Sequence, residues 1–234
     1  PTSYLSIWIS AFDGRMCQWQ MQAMARDPST AHSQAPQHLK AVALRLFAER
    51  GINGVTVRQI AEAAGQKNHA AITYHFGSKE ALIRQLVVDG AKAIDARRNA
   101  ALDRAQTAGG PHTVLEVMEI LVESSVDHDP PPEGECYNRF VVGLQLSNRA
   151  LFMDALEGRW NSGYQRCLCE VRRLMAHLPS DLLNQRLVFM GGAIGGILAG
   201  RETELSDRSR EHLMWTHPDT LLRVAKALAS IIEC

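Results

Sequence analysis

The sequence lacks any convincing alternation of polar and apolar residues, so no half-buried β-strand is expected in its 234 residues. It also lacks an apolar run of the roughly 18 residues that a membrane span needs. The nearest, residues 187–200, is about 14 residues long between Arg186 and Arg201 and reads as a buried helix. There is no nucleophile elbow, no glycine-rich phosphate loop after a strand and no zinc-type His/Glu spacing, so nothing supports an enzyme. No catalytic residue, metal site or cofactor is expected. Cysteines number only five, at irregular spacings and without a secretory leader, which points to reduced thiols in the cytoplasm rather than a disulfide framework. Cys167 and Cys169 are two apart and face different sides of a helix, which argues against a metal or redox pair. Repeats and low-complexity tracts are also missing.

Net charge is absent as well, but its distribution is uneven. Residues 36–84 carry seven basic side chains (Lys40, Arg45, Arg50, Arg58, Lys67, Lys79, Arg84) against Glu49, Glu62 and Glu80, a net of +4 that the remainder balances with −4. A basic module joined to an acidic one suggests an anionic partner for the first part only.

Helical periodicity fills what is left. A first helix is expected over 36–49, with Leu39, Val42, Ala43, Leu46 and Phe47 on one stripe and Gly51 ending it. Thr56 and Gln59 in "TVRQ" form a capping box, and Val55 with Ile60 a hydrophobic staple, so a short helix starts there and stops at Gly65. A third short helix is expected over 69–75, ended by Gly77, and Ser78 caps a long fourth one with Leu82, Leu86 and Ala93 inward. Two short helices joined by a tight turn, with a third behind them, make a helix-turn-helix. Ile72 and Phe76 hold its core side. Ala70, Thr73 and Tyr74 face out, small at the leading end so that the helix enters a DNA major groove.

The remaining chain reads as an all-helical body. A second capping box, Thr113 with Glu116, starts a fifth helix, and the loop "VDHDPPPEGE" separates it from an apolar helix over 137–148. One further helix is expected to carry Phe152, Leu156, Trp160, Tyr164 and Leu168 at successive i+4 positions. Two more follow, over 181–200 and 219–233. The first residues, through "MQAM", fit no signal peptide, and a native start at Met24 is expected. The organisation is then an extension (1–34), a helix-turn-helix domain (35–84) and a larger helical domain (85–234).

"TVRQIAEAAG" followed by "ITYHFGSKEAL" resembles the TetR family of bacterial transcriptional regulators. The resemblance covers about residues 39–86. It implies an all-α fold: a three-helix DNA-binding domain, and a larger domain that binds a small-molecule effector and forms a homodimer. Ten residues separate Gly65 from Phe76, one more than is usual, so the recognition helix begins at Lys67, Asn68 or His69. The implied DNA-binding set is Thr56, Lys67, Asn68, His69, Ala70, Ala71, Thr73, Tyr74, His75 and Lys79, with His75 and Lys79 at positions that meet phosphates. The implied partners are a partly palindromic double-stranded operator, an unidentified effector and a second copy of the chain, with no membrane. Repression relieved by the effector is the first expectation; activation, corepression or a helical adaptor without specific DNA binding are the alternatives.

Two stretches of the body remain open in function. Phe152, Leu156, Trp160 and Tyr164 form a core stripe or an apolar effector wall, with Tyr137, Asn138, Arg139, Gln145 and Asn148 as polar contacts for the latter. In "LVFMGGAIGGILAG", Gly191, Gly192, Gly195 and Gly196 permit close approach of a partner helix or leave room for a ligand. Dimerisation is the favoured reading, together with Leu222 and Ala225 of the last helix.

Overall fold

The computed structural model describes residues 34–66, 70–128 and 135–234, with Gln34, Ala35 and Ala71 described in their backbone alone. The expected extension and its Met24 start lie outside these residues, as do Lys67, Asn68, His69 and the middle of the proline-rich loop. The described residues form eleven helices and no strand.

The first three helices are α1 (Gln34–Arg50), α2 (Val57–Ala63) and α3 (Ala71–Phe76). They close over the start of α4 (Lys79–Thr107). Seven residues are too few for a helix to persist alone, and α2 persists because both of its ends are fixed. Thr56 Oγ1 accepts from Gln59 N and Gln59 Oε1 accepts from Thr56 N, the full capping box. The staple residues Val55 and Ile60 are both buried. Leu39, Ala43 and Phe47 of α1, Ile60 of α2 with Ala64 just after it, Ile72 of α3 and Leu82, Ile83 and Leu86 of α4 make one apolar core. Burial of such side chains contributes roughly 1.5–3 kcal/mol each.

That core does not end with the small domain. Phe140 and Leu144 of α6 (Tyr137–Ser147) and Leu151 and Ala155 of α7 (Arg149–Leu156) belong to it, and the Phe47 and Phe140 rings stack at 6.2 Å. A second core joins α5 (Val114–Ser124), α8 (Ser162–Leu174), α9 (Ser180–Ser206) and α11 (Thr220–Glu233) around Met118, Leu121, Leu168, Met190 and Leu228. Helix α4, 29 residues and so roughly 43 Å long, runs between the two, contributing Leu82 to the first and Leu102 to the second. At Gly90 it passes so close to α6 that a Cβ would sit 2.0 Å from Tyr137 Cε2. The Tyr137 hydroxyl donates to Val87 O at 2.7 Å and holds the ring there.

Several expectations need correction. The single helix through Phe152 and Leu168 is two helices, α7 and α8. Glu157, Gly158 and Trp160 take positive φ (48°, 70° and 62°), which no helix tolerates. Thr113 caps α5, but Glu116 Oε2 accepts from His112 N, so the second box is not reciprocal on Thr113. Ala93 is exposed rather than inward, because α4 turns that face to an open cleft. The short α10 (Leu213–Thr216) was not expected. Helix α9 runs past the apolar run to 27 residues, long and apolar enough to cross a membrane by length and composition. Its Leu183, Leu187, Met190 and Leu198 are spent on the second core, and it carries the buried Glu202 near its end. Cys167 is buried and Cys169 exposed, as the two-residue spacing requires.

Candidate nucleic-acid interface and effector cavity

The last turn before α4 presents the side chains expected to meet DNA. Ile72 of α3 is wholly buried and Phe76 half-buried, anchoring the helix, while Thr73, Tyr74 and His75 are exposed. Ala70, just before α3, is exposed as well. Tyr74 is 84% exposed, an unusual position for a large ring, and meets the His75 ring edge-on at 4.9 Å. Gly77 (φ 79°) stops the helix and Ser78 Oγ accepts from Ala81 N to start α4, so the exposed triplet is fixed at its carboxy-terminal end. Thr56 is exposed, with its hydroxyl engaged in the α2 cap. Lys79 is placed differently from its expected phosphate role. Its ammonium donates to Ile52 O and lies 5.8 Å over the Phe47 ring, and burial lowers its pKa.

Two concavities border the larger helical body, the first of them shared with α1. An open cleft of about 760 Å³ separates α1 and α4 from the ends of α6 and α9. Its charges answer one another: Lys40 pairs with Asp89 at 2.7 Å, and Arg201 beside it with Glu135. Glu202, 2% exposed, accepts from Asn138 N, Asn138 Nδ2 and Arg139 N and so caps α6 from across the cleft. Burial raises its pKa against the pull of these three bonds. Arg139 lines this cleft and not the second concavity.

The second is a cavity of about 260 Å³ bounded by α4, α6, α7, α8 and α9. Phe152, Leu156, Trp160 and Tyr164 all line it, although the helix expected to carry them is broken. The left-handed turn at Glu157–Trp160 brings the indole back onto the same wall. Tyr137, Asn138 and Gln145 line it too, whereas Asn148 is exposed and caps α7 by accepting from Leu151 N. Burial pushes the Tyr164 hydroxyl up to about 12, so it stays protonated at neutral pH. Sequence reasoning missed Arg98 and Arg149, which also line the cavity. Arg98 sits in "DARRNAA", where an arginine ordinarily faces water, and no sequence signal separates it from Arg97.

The glycines of α9 divide between two surfaces. Gly191 and Gly195 line the cavity, with a Cβ at Gly195 coming 3.4 Å from Val142 Cγ2. Gly192 and Gly196 lie on the outer face, where a Cβ meets nothing within 4 Å, next to the half-exposed Phe189. Leu222 is partly exposed, but Ala225 is wholly buried in the protomer's own core and is not available to another chain.

Residues 39–86 match the family model of bacterial regulatory proteins, tetR family. The chain is 31% identical over 174 residues to the HTH-type transcriptional repressor AcnR of Corynebacterium efficiens, covering 69% of this chain and 81% of that protein. Over 49 residues, 21% of either chain, it is 59% identical to the HTH-type transcriptional dual regulator CecR of Shigella flexneri. The crystal structure of Mycobacterium smegmatis AmtR shares its fold at a TM-score of 0.53 and 12% identity, over 89% of this chain and 90% of that one. Helix-turn-helix, all-helical body and sequence agree: the chain belongs to the TetR family of bacterial transcriptional regulators, which are not enzymes.

Proposed function

We propose that the protein is a homodimeric repressor that leaves its operator when a small molecule fills the cavity between α4, α6, α7, α8 and α9. The observation that carries this reading is the double use of α6 and α7. Val141 and Gln145 of α6, with Phe152 and Met153 of α7, line the cavity. Phe140, Leu144, Leu151 and Ala155 of the same helices are buried in the core of the DNA-binding domain. A ligand that shifts either helix therefore shifts the seat of the helix-turn-helix without an intermediary. Repression is the role named for AcnR.

Residues 35–84 form the DNA-binding unit and residues 85–234 the effector and dimer unit. Thr56, Ala70, Ala71, Thr73, Tyr74 and His75 meet DNA, together with Lys67, Asn68 and His69. The outer face of α9, at Gly192 and Gly196, meets a second copy alongside Leu222. Two recognition helices then enter successive major grooves of a partly palindromic operator, roughly 34–36 Å apart. The protein works in the cytoplasm, where its operator is.

The experiment is selection of duplexes from a random pool, followed by titration of the recovered sequence at several salt concentrations. Enrichment of a partly palindromic motif bound by two chains, with affinity falling steeply as salt rises, is the expected result. Absence of any enriched motif at moderate salt excludes the reading.

A further inference from the structure

We propose that the cavity takes an amphipathic organic anion, a small apolar body ending in one carboxylate that meets Arg98, Arg149 and Trp160. The proposal rests on the effector reading above and adds the ligand's chemistry to it.

Among the described residues, two guanidinium groups line the cavity and no aspartate or glutamate does. Arg98 is only 8% exposed, and its hydrogen bonds go to two neutral hydroxyls, Ser124 Oγ at 3.0 Å and Ser125 Oγ at 2.8 Å. The carboxylate nearest in sequence, Asp95, one helical turn earlier, is engaged by Ser162 Oγ at 2.8 Å and Gly163 N at 2.7 Å. Asp95 attracts the guanidinium from a distance and the Tyr164 ring lies 5.7 Å from it, but no carboxylate hydrogen-bonds to it, an expensive arrangement for a buried cation that an incoming anion relieves. Burial lowers the Arg98 pKa, in the direction such a deficit requires.

Two further donors point to the same ligand. Arg149 Nε and Trp160 Nε1 are buried and have no hydrogen-bond partner among the described residues. Of the seven such atoms among the described residues, these two belong to residues that line this cavity, where an acceptor on a ligand satisfies them. The Lys92 ammonium, 4.5 Å over the Trp160 ring, adds positive potential beside the indole. These groups select against a cationic ligand, while Phe152, Leu156 and Ile194 give its body an apolar wall. At about 30 Å³ per water-sized group, a cavity of about 260 Å³ holds on the order of nine non-hydrogen atoms.

Octanoate, octanamide and octylamine share that size and differ only in the head group. Each is titrated into the full chain by calorimetry and by tryptophan fluorescence, with melting curves alongside. Octanoate is expected to bind and to raise the melting temperature, octanamide to bind at least about tenfold more weakly, and octylamine not to bind. Arg149→Met is expected to weaken octanoate at least about tenfold and to leave octanamide unchanged, an internal control against a misfolded cavity. Where Arg149→Met fails to fold, Trp160→Phe, which keeps the ring and removes the donor, gives the same comparison. Octanamide or octylamine binding as tightly as octanoate overturns the proposal, as does octanoate binding that neither substitution weakens, or no octanoate binding at millimolar concentration. Octanoate that binds through Arg149 and leaves operator affinity untouched upholds the anion site and removes the effector role instead.

Discussion

Lys79 shows how one side chain changes meaning once its surroundings are known. In sequence it stands in a basic segment after "YHFGS" and reads as a phosphate contact. In the fold its ammonium satisfies Ile52 O and covers the Phe47 ring. Lys79→Ala is therefore expected to lower stability by about 1–2 kcal/mol in denaturant unfolding, because a carbonyl loses a charged donor. The slope of operator affinity against salt is expected to stay unchanged; a drop of about one in that slope restores the phosphate role. Glu202 is the complementary case, a carboxylate whose position no local pattern announces, since its partners Asn138 and Arg139 are more than sixty residues away in the chain. Glu202→Ala leaves the α6 N–H groups without an acceptor and is expected to destabilise by at least about 2 kcal/mol. The folded carboxyl is raised above its unfolded value, so the wild type gains stability as pH falls through the folded value toward the ordinary carboxylate range. That gain is lost again as pH rises back through the same window. The stability difference between wild type and Glu202→Ala, followed by denaturant unfolding across that window, is expected to widen on acidification.

Helices α2, α4 and α5 start where the sequence places them because a cap is a local device: Thr56, Ser78 and Thr113 each accept from a backbone N–H three residues on. The break between α7 and α8 was not legible for the opposite reason. An i+4 stripe runs unbroken from Phe152 to Leu168, and it hides the turn in which Glu157 and Trp160 take left-handed conformations and Arg159 N donates to Leu156 O. The glycines of α9 were recognisable as a place of close approach, but which of them faces which neighbour depends on the helix's rotation in the bundle. That rotation now separates two roles on one element. A Cβ at Gly196 meets nothing within 4 Å among the described residues, so for Gly196→Leu sedimentation is expected to show weakened self-association with protomer stability retained. Gly195→Leu projects toward Val142 and into the cavity, and is expected to remain dimeric and lose the ligand. An intact dimer in Gly196→Leu at low protein concentration removes the α9 face from the interface.

For the molecule as a whole, the division into a basic amino-terminal unit and a larger body was readable from charge and motif, but the way the two communicate was not. The long α4 is the evident lever in the sequence. The fold adds a second route, since Phe140 on α6 reaches into the amino-terminal core and stacks on Phe47. If that contact transmits the ligand's effect, weakening it reduces the coupling between sites more than it reduces either binding event. Phe140→Leu keeps an apolar side chain of smaller volume and is expected to cost about 1–3 kcal/mol of stability. Operator affinity without ligand, and ligand affinity without operator, are expected to change less than about threefold. The factor by which ligand weakens operator binding is expected to fall by about tenfold, roughly 1.4 kcal/mol of coupling free energy. Thermodynamic linkage supplies an internal check. The factor by which operator weakens ligand binding must equal the factor by which ligand weakens operator binding, in the wild type and in the variant alike. Both are obtained by titrating ligand into free protein and into the protein–operator complex. A Phe140→Leu protein whose two factors agree with each other and with the wild-type value removes the Phe47–Phe140 contact from the transmission and leaves it to α4 and to Leu144, Leu151 and Ala155.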